Sequence, residues 1–307
     1  MIVNNKSIVK SFKNCGTNFS KYCKSRGNNF FLVDNDNVYL FDLSVHNFKK
    51  QCFNINNISD ICYNQEKDIL LCSSYKNIIC KTRDNETIVY ETPQALGLNL
   101  LSVTSYKDGN LICSGAEVKE SLFEKGESDA LLVFWDIRNP STPIGYYKDS
   151  HSDNIVSLSF MDNLLLSGGE DGLINVYDIR QSSEEDALLT SINTEDTVNQ
   201  CGWLHKNNKI YCFTGSEKFL MWDRNNNCDR MKNLNFINSN SRFLYDCDEC
   251  SSGEIVVLSM SENSSTLYID RFNDHYQIDV SNEYLNNAFI LNNGNIVAFS
   301  DNNIFIC

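Results

Sequence analysis

No run in this 307-residue chain approaches the roughly 20 apolar residues that a membrane-spanning helix needs. The opening Met1-Ile2-Val3-Asn4-Asn5-Lys6 has no charged stretch leading into an apolar run, so no secretory leader is read there and a soluble, intracellular protein is expected. Positive charge is also short: 26 Lys and Arg stand against 40 Asp and Glu, a formal net charge of −14 with an isoelectric point near 4.7. Duplex affinity comes mainly from Lys and Arg on phosphate, so this balance argues against a general nucleic-acid binder and for basic protein partners. Histidine is sparse and scattered, at 46, 151, 205 and 275. No phosphate-binding loop occurs either, because Gly168-Gly169-Glu170-Asp171-Gly172 would place acids where a phosphate should sit.

What is present is ordinary for a folded chain. With 42% hydrophobic and 21% charged residues a sizeable core can be buried. The thirteen cysteines are odd in number and many sit in apolar runs, such as Ile69-Leu70-Leu71-Cys72 and Ile210-Tyr211-Cys212-Phe213, so reduced thiols acting as small hydrophobes are expected. Cys247-Asp248-Glu249-Cys250 has the spacing of half a zinc site but no second pair, and is read as a strand end with two solvent-accessible thiols. Charge is unevenly spread. Residues 1–33 hold Lys6, Lys10, Lys13, Lys21, Lys24 and Arg26 and no acid, a basic sector expected to be a solvated set of strand faces. An RNA-binding alternative would use Phe12, Phe19 and Tyr22 as stacking rings on that sector.

An internal period organises the chain. Short β-branched and aromatic runs recur after turns of Gly, Asn or Asp, most clearly Leu131-Leu132-Val133-Phe134-Trp135-Asp136, Leu173-Ile174-Asn175-Val176-Tyr177-Asp178 and Phe219-Leu220-Met221-Trp222-Asp223. Weaker copies end at Asp42, Thr82, Asp270 and Cys307. The seven ends are separated by 40, 54, 42, 45, 47 and 37 residues, bracketing the roughly 40–45 of propeller blades. An all-β, seven-bladed WD-repeat β-propeller occupying residues 1–307 as a single domain is therefore predicted. The alternating Ser7-Ile8-Val9-Lys10-Ser11-Phe12 is expected to join the last blade and close the ring. The long 54-residue interval, in the third unit, contains a charged insertion at 118–129, read as a solvated hairpin extension, with a partner-binding arm as the alternative.

From Asp129 onward the residues resemble a known family. Asp129-Ala130 leading into Leu131 to Asp136, then His151-Ser152-Asp153, Gly172 to Asp178, Glu184-Glu185-Asp186-Ala187-Leu188, and Gly202-Trp203 leading to Ile210-Tyr211-Cys212 are similar, in this order, to WD-repeat propellers of the WD repeat-containing protein 89 family. The final unit, Asn295 to Cys307, departs from the pattern in lacking a Gly-Glu-Asp turn and a WD end. The resemblance implies a cytoplasmic or nuclear propeller with no established catalytic activity.

Three sets of residues bear on function. His151, Ser167, Asp171 and Tyr177 occupy the places of the hydrogen-bonded network inside a WD blade, with Tyr177 in place of Trp. They are read as architecture and not as a Ser-His-Asp nucleophile, since no oxyanion hole or nucleophile elbow accompanies them. Trp135-Asp136-Ile137-Arg138 and Tyr177-Asp178-Ile179-Arg180 resemble the WDxR signature of substrate receptors for cullin-RING ubiquitin ligases. Trp135, Asp136, Arg138, Tyr177, Asp178 and Arg180 are thus candidate adaptor contacts, although each Asp-x-Arg also suits a local ion pair. Glu184, Glu185 and Asp186 are adjacent acids expected in a loop between the fourth and fifth blades, solvated or contacting a basic partner. The expected protein is a non-catalytic scaffold, monomeric within a larger complex, binding one or more proteins, with no cofactor and no metal.

Overall fold

All seven unit ends found in the sequence are third strands of separate antiparallel sheets in the computed structural model of the chain. The structure describes residues 3–5, 10–13, 19–25, 29–34, 36–43, 47–84, 86–93, 97–118, 130–226, 228–231, 243–250, 252–263, 265–271, 274–279, 284–291, 294–300 and 303–307. The chain begins with β1 (Val3–Asn5) and β2 (Lys10–Lys13). Blade 1 is β3 (Lys21–Lys24), β4 (Asn29–Asp34), β5 (Asn37–Asp42) and β6 (Asn47–Asn54). Blade 2 is β7 (Ile58–Asn64), β8 (Ile69–Ser74), β9 (Asn77–Thr82) and β10 (Thr87–Glu91). Blade 3 is β11 (Leu98–Ser105), β12 (Leu111–Val118), β13 (Ala130–Asp136) and β14 (Gly145–Tyr147). Blade 4 is β15 (Ile155–Met161), β16 (Leu164–Gly169), β17 (Leu173–Asp178) and β18 (Leu188–Asn193), with the one-turn helix α1 (Glu184–Ala187) before β18. Blade 5 is β19 (Val198–Leu204), β20 (Lys209–Thr214), β21 (Phe219–Asp223) and β22 (Asp229–Arg230). Blade 6 is β23 (Phe243–Glu249), β24 (Ile255–Met260), β25 (Thr266–Arg271) and β26 (His275–Asp279). β27 (Leu285–Ile290), β28 (Ile296–Ser300) and β29 (Asn303–Ile306) make blade 7.

The early strand joins the last blade as expected: β2 pairs antiparallel with β29, from Lys10 opposite Ile306 to Lys13 opposite Asn303. One strand was not foreseen. β1 adds to blade 6, parallel to β26, with Val3 opposite His275. The insertion read at 118–129 has only Val118 among the described residues.

Middle strands carry near-continuous apolar runs because sheets cover them on both faces: Ile69–Ser74 and Leu164–Gly169 are buried almost throughout. Outer strands alternate, as Thr87–Glu91 does, because one of their faces meets solvent. The described chain forms two compact units. One comprises residues 1–54, 204–211 and 217–307, the other 55–203 and 212–216. In the first, blades 6 and 7 share a cluster containing Leu258, Ile269, Ala288 and Phe305, and blades 7 and 1 share one built on Phe30, Phe41, Phe289 and Phe299. In the second, Trp135 and Tyr90 fill the joint between blades 2 and 3, and Phe134 and Tyr177 that between blades 3 and 4.

A repeated latch reinforces these joints. The inner strands β7, β11, β15 and β23 each bulge before Asp60, Ser102, Ser157 and Asp246, and that residue binds the backbone of the next inner strand. Asp60 accepts the N–H of Val103 at 2.9 Å, and Ser102 donates to the carbonyl of Ile155 at 2.8 Å. Ser157 donates to the Cys201 carbonyl at 2.9 Å and accepts its N–H at 3.0 Å. Asp246 accepts the N–H of Ile290 at 2.9 Å. The bulge turns one polar side chain out of its own ladder and towards the neighbouring sheet.

Candidate interaction surface

The fourth blade brings the Ser-His-Asp set together as a buried strut. Strand β16 presents Ser167, the turn into β17 presents Asp171, and the segment entering the blade presents His151. His151 Nε2 lies 2.7 Å from Ser167 Oγ and its Nδ1 3.0 Å from Asp171 Oδ2. Asp171 also accepts the N–H groups of Ser152 and Leu173, each at 2.9 Å. Burial raises the Asp171 pKa, but the His151 contact and these donors outweigh it and hold the carboxyl below its usual range. The strut leaves no room at Gly169, where an added Cβ would stand 2.5 Å from Asp171 Oδ1 and 2.7 Å from His151 Nδ1. Ser167 is fully buried. Its hydroxyl is therefore a structural hydrogen-bonding group, inaccessible to a substrate.

Tyr177 corrects the expected network. It is wholly buried, and its hydroxyl faces Ser150, Ser167 and Asn175 yet closes no hydrogen bond. Burial pushes the phenol up to about 12. The Oδ1 of Asn175 beside it also lacks a partner, while its Nδ2 donates to the Ser150 carbonyl at 2.7 Å. The hydrogen-bonded network therefore closes over His151, Ser167 and Asp171, and Tyr177 only packs.

The two aromatic-Asp-Ile-Arg motifs divide into a buried and an exposed part. Trp135 and Tyr177 are fully buried core residues, so neither ring can touch an adaptor, contrary to their placing among candidate contacts. The arginines are exposed and folded back onto their own aspartates. Arg138 Nε stands 2.9 Å from Asp136 Oδ1; Arg180 Nε stands 2.8 Å from Asp178 Oδ1 and its Nη2 2.6 Å from Oδ2. Each aspartate accepts the backbone N–H two residues on as well. Arginine hydrogen bonds hold both carboxyls down to about 2. The local fork foreseen from spacing is thus formed twice, and the two guanidinium groups stand at the same end of consecutive third strands.

The acids 184–186 lie elsewhere than expected. They form α1, capped by Ser183 and set between the third and outer strands of blade 4, not between blades 4 and 5. Glu184 is occupied within the chain: it accepts the N–H of Lys148 at 2.7 Å and of Asp149 at 3.1 Å, and a hydrogen bond from Ser150. It thereby fixes the loop that delivers His151. Glu185 and Asp186 are exposed, and Asp186 accepts from Ser183 Oγ at 2.7 Å.

Other expectations also meet the structure. Cys247 is buried, its thiol pushed up by burial, so only Cys250 of that pair reaches solvent. No group of three metal-ligating side chains occurs among the described residues. Phe19 is buried, and Tyr22 stacks on Phe289 with ring centroids 4.1 Å apart, so neither is a free platform for a base; the side chain of Phe12 lies outside the described residues. Lys24 is not on a solvated face, because it binds Asp248. No helix among the described residues is long and apolar enough to cross a membrane.

The fold is that of a seven-bladed β-propeller of the WD-repeat class. It matches a chain of the solved mitotic checkpoint complex with a TM-score of 0.74 at 13% identity, covering 98% of this chain and 91% of that one. In sequence the chain is similar to an uncharacterized WD repeat-containing protein of Saccharomyces cerevisiae, 33% identical over half of this chain and 41% of that protein. It is also similar to a WD repeat-containing protein 89 homolog of Dictyostelium discoideum, 31% identical over 24% of this chain and 22% of that one. A histone acetyltransferase type B subunit 2 of Debaryomyces hansenii is 25% identical over 48% of this chain and 39% of its own length. These matches thus span less than half of each curated relative. No family model matches the chain. WD-repeat propellers are generally non-catalytic interaction scaffolds.

Proposed function

We propose that this protein is a non-catalytic scaffold that binds basic segments of other proteins. The observation that carries this reading is the charge of the loops that enter and turn blades 4 and 5: Asp149, Asp153, Glu170 and Glu195 are exposed there. Clustered acids on a rigid scaffold steer and retain cationic chains, with an affinity that falls as salt rises. A relative that is a subunit of a histone acetyltransferase is in keeping with a basic protein partner. The test is capture of partners by the tagged full chain at two salt concentrations, beside Asp153→Lys/Glu170→Lys. Basic proteins lost at high salt and lost with the charge-reversed bait support the reading; an unchanged partner set in all four conditions overturns it.

The paired Asp-Arg forks favour a second reading, docking of a cullin-RING adaptor by Arg138 and Arg180. In each fork the aspartate takes one edge of the guanidinium and fixes its plane, so the remaining N–H groups face outward, pre-oriented for a partner carboxylate. Arg138→Ala with Arg180→Ala should abolish capture of adaptor and cullin subunits while the chain stays folded; if no such subunits are captured by the unaltered chain, this reading falls.

A further inference from the structure

In the unit that holds blades 6, 7 and 1, the inner strands of all three meet at one polar group. Lys24 of β3 donates to Asp248 of β23, and its ammonium stands 3.8 Å from Asp246 Oδ2. Asp246 is buried and accepts the N–H of Ile290 on β27. Tyr22, two residues before Lys24, stacks on Phe289 of β27 at an interplanar angle of 9°, and the Asp246 carboxylate near its hydroxyl adds to burial in raising its pKa.

Lys24 therefore binds a sheet that is not the neighbour of its own. Blade 6 packs on blade 7 and blade 7 on blade 1 through separate apolar clusters, and the ion contacts run past blade 7 from one flank to the other. Blade 7 is built from strands distant in sequence, and its outer strand β2 is held to β29 by only four residue pairs, so it has little local pairing to keep it closed. We infer that Lys24, Asp246 and Asp248 form an ionic clasp tying blade 1 directly to blade 6, so that blade 7 opens only together with both its neighbours.

Apolar packing alone would not enforce this coupling, because apolar contacts are non-directional and tolerate small slips. The clasp does, because one ammonium must satisfy two carboxylates in partly dry surroundings: the side chains of Lys24, Asp246 and Asp248 are only 22%, 5% and 33% exposed. Separating the flanks strands a buried carboxylate beside a second negative charge. The inference does not depend on the partner-binding reading.

Amide hydrogen exchange on the full chain tests it, comparing the unaltered protein with Lys24→Met and with the neutral triple variant Lys24→Met/Asp246→Asn/Asp248→Asn. In the unaltered protein, Val297, Phe299 and Ile304 of blade 7 should exchange in one slow group with Leu32 of blade 1 and Leu258 of blade 6. In Lys24→Met the blade 7 amides should leave that group and exchange at least about tenfold faster than the flanks. The triple variant should regain thermal stability, having no stranded carboxylates, yet keep blade 7 uncoupled; it carries the same comparison should Lys24→Met not fold. Blade 7 amides already faster than both flanks in the unaltered protein, or acceleration of all three blades by one common factor in the variants, would overturn the clasp.

Discussion

Asp60, on the inner strand of blade 2, holds the backbone N–H of Val103 on the inner strand of blade 3 at 2.9 Å. Val103 is buried, so Asp60→Ala leaves a donor with no partner in dry surroundings. Urea unfolding should show a loss of about 2 kcal/mol, and Asp60→Asn, which keeps an acceptor, a smaller one. Ser157→Ala, which removes both halves of the latch to Cys201, should behave like Asp60→Ala.

Tyr177 and Ser167 should respond oppositely to losing a hydroxyl. The Tyr177 hydroxyl is buried without a hydrogen bond, so Tyr177→Phe should leave stability unchanged or raise it by up to about 1 kcal/mol. Ser167→Ala strands His151 Nε2 and should cost about 1–3 kcal/mol. Thermal unfolding of the two variants side by side decides; a destabilised Tyr177→Phe would show that the hydroxyl has a partner in solution.

Gly169→Ala should cost about 1–3 kcal/mol, because the new methyl would press on both Asp171 and His151 and neither can withdraw without breaking the strut. Gly145→Ala makes a suitable control, since an added Cβ there meets nothing within 4 Å.

Stability should fall on acidification. Asp171 is held below its usual range, and Asp136 and Asp178 are held down to about 2. A carboxyl whose folded pKa is depressed contributes stability that is complete above the unfolded value, about 4, and is lost as pH drops through the folded value. The loss should therefore develop between about pH 4 and 2. Asp246 acts in the opposite sense: burial, only partly offset by Lys24, raises its carboxyl, so its ionised form opposes folding and protonation relieves that cost as pH falls. Denaturation midpoints from pH 7 to 2 should show Asp171→Asn with a flatter acid limb and Asp246→Asn with a steeper one.

Much of the architecture was legible before any coordinates. Recurrent β-branched and aromatic runs, each after a turn of Gly, Asn or Asp, located the third strand of every blade, because a strand covered on both faces needs a nearly unbroken apolar run. The His151, Ser167 and Asp171 strut was readable for the same reason, since its members sit at fixed offsets inside one blade. The fate of Tyr177 was not, because whether a buried hydroxyl meets a partner depends on the packing around it, which spacing does not carry. Glu184 was misplaced because α1 interrupts blade 4 between strands, where a run of acids reads as a loop between blades. The latch residues were visible only as lone polar positions in apolar strands, with nothing to say what they would bind.

By itself, then, the sequence determined seven blades, their third strands and a closing strand near the start, all of which follow from local patterns of burial repeated along the chain. Tertiary structure alone decided that β1 would join blade 6, that Asp60 would hold Val103, and that Lys24 would bind Asp248, 224 residues away. Local patterning dictates which face of a strand is dry; which charged or polar group lies across the joint depends on the packing of sheets distant in sequence, and no periodicity encodes it.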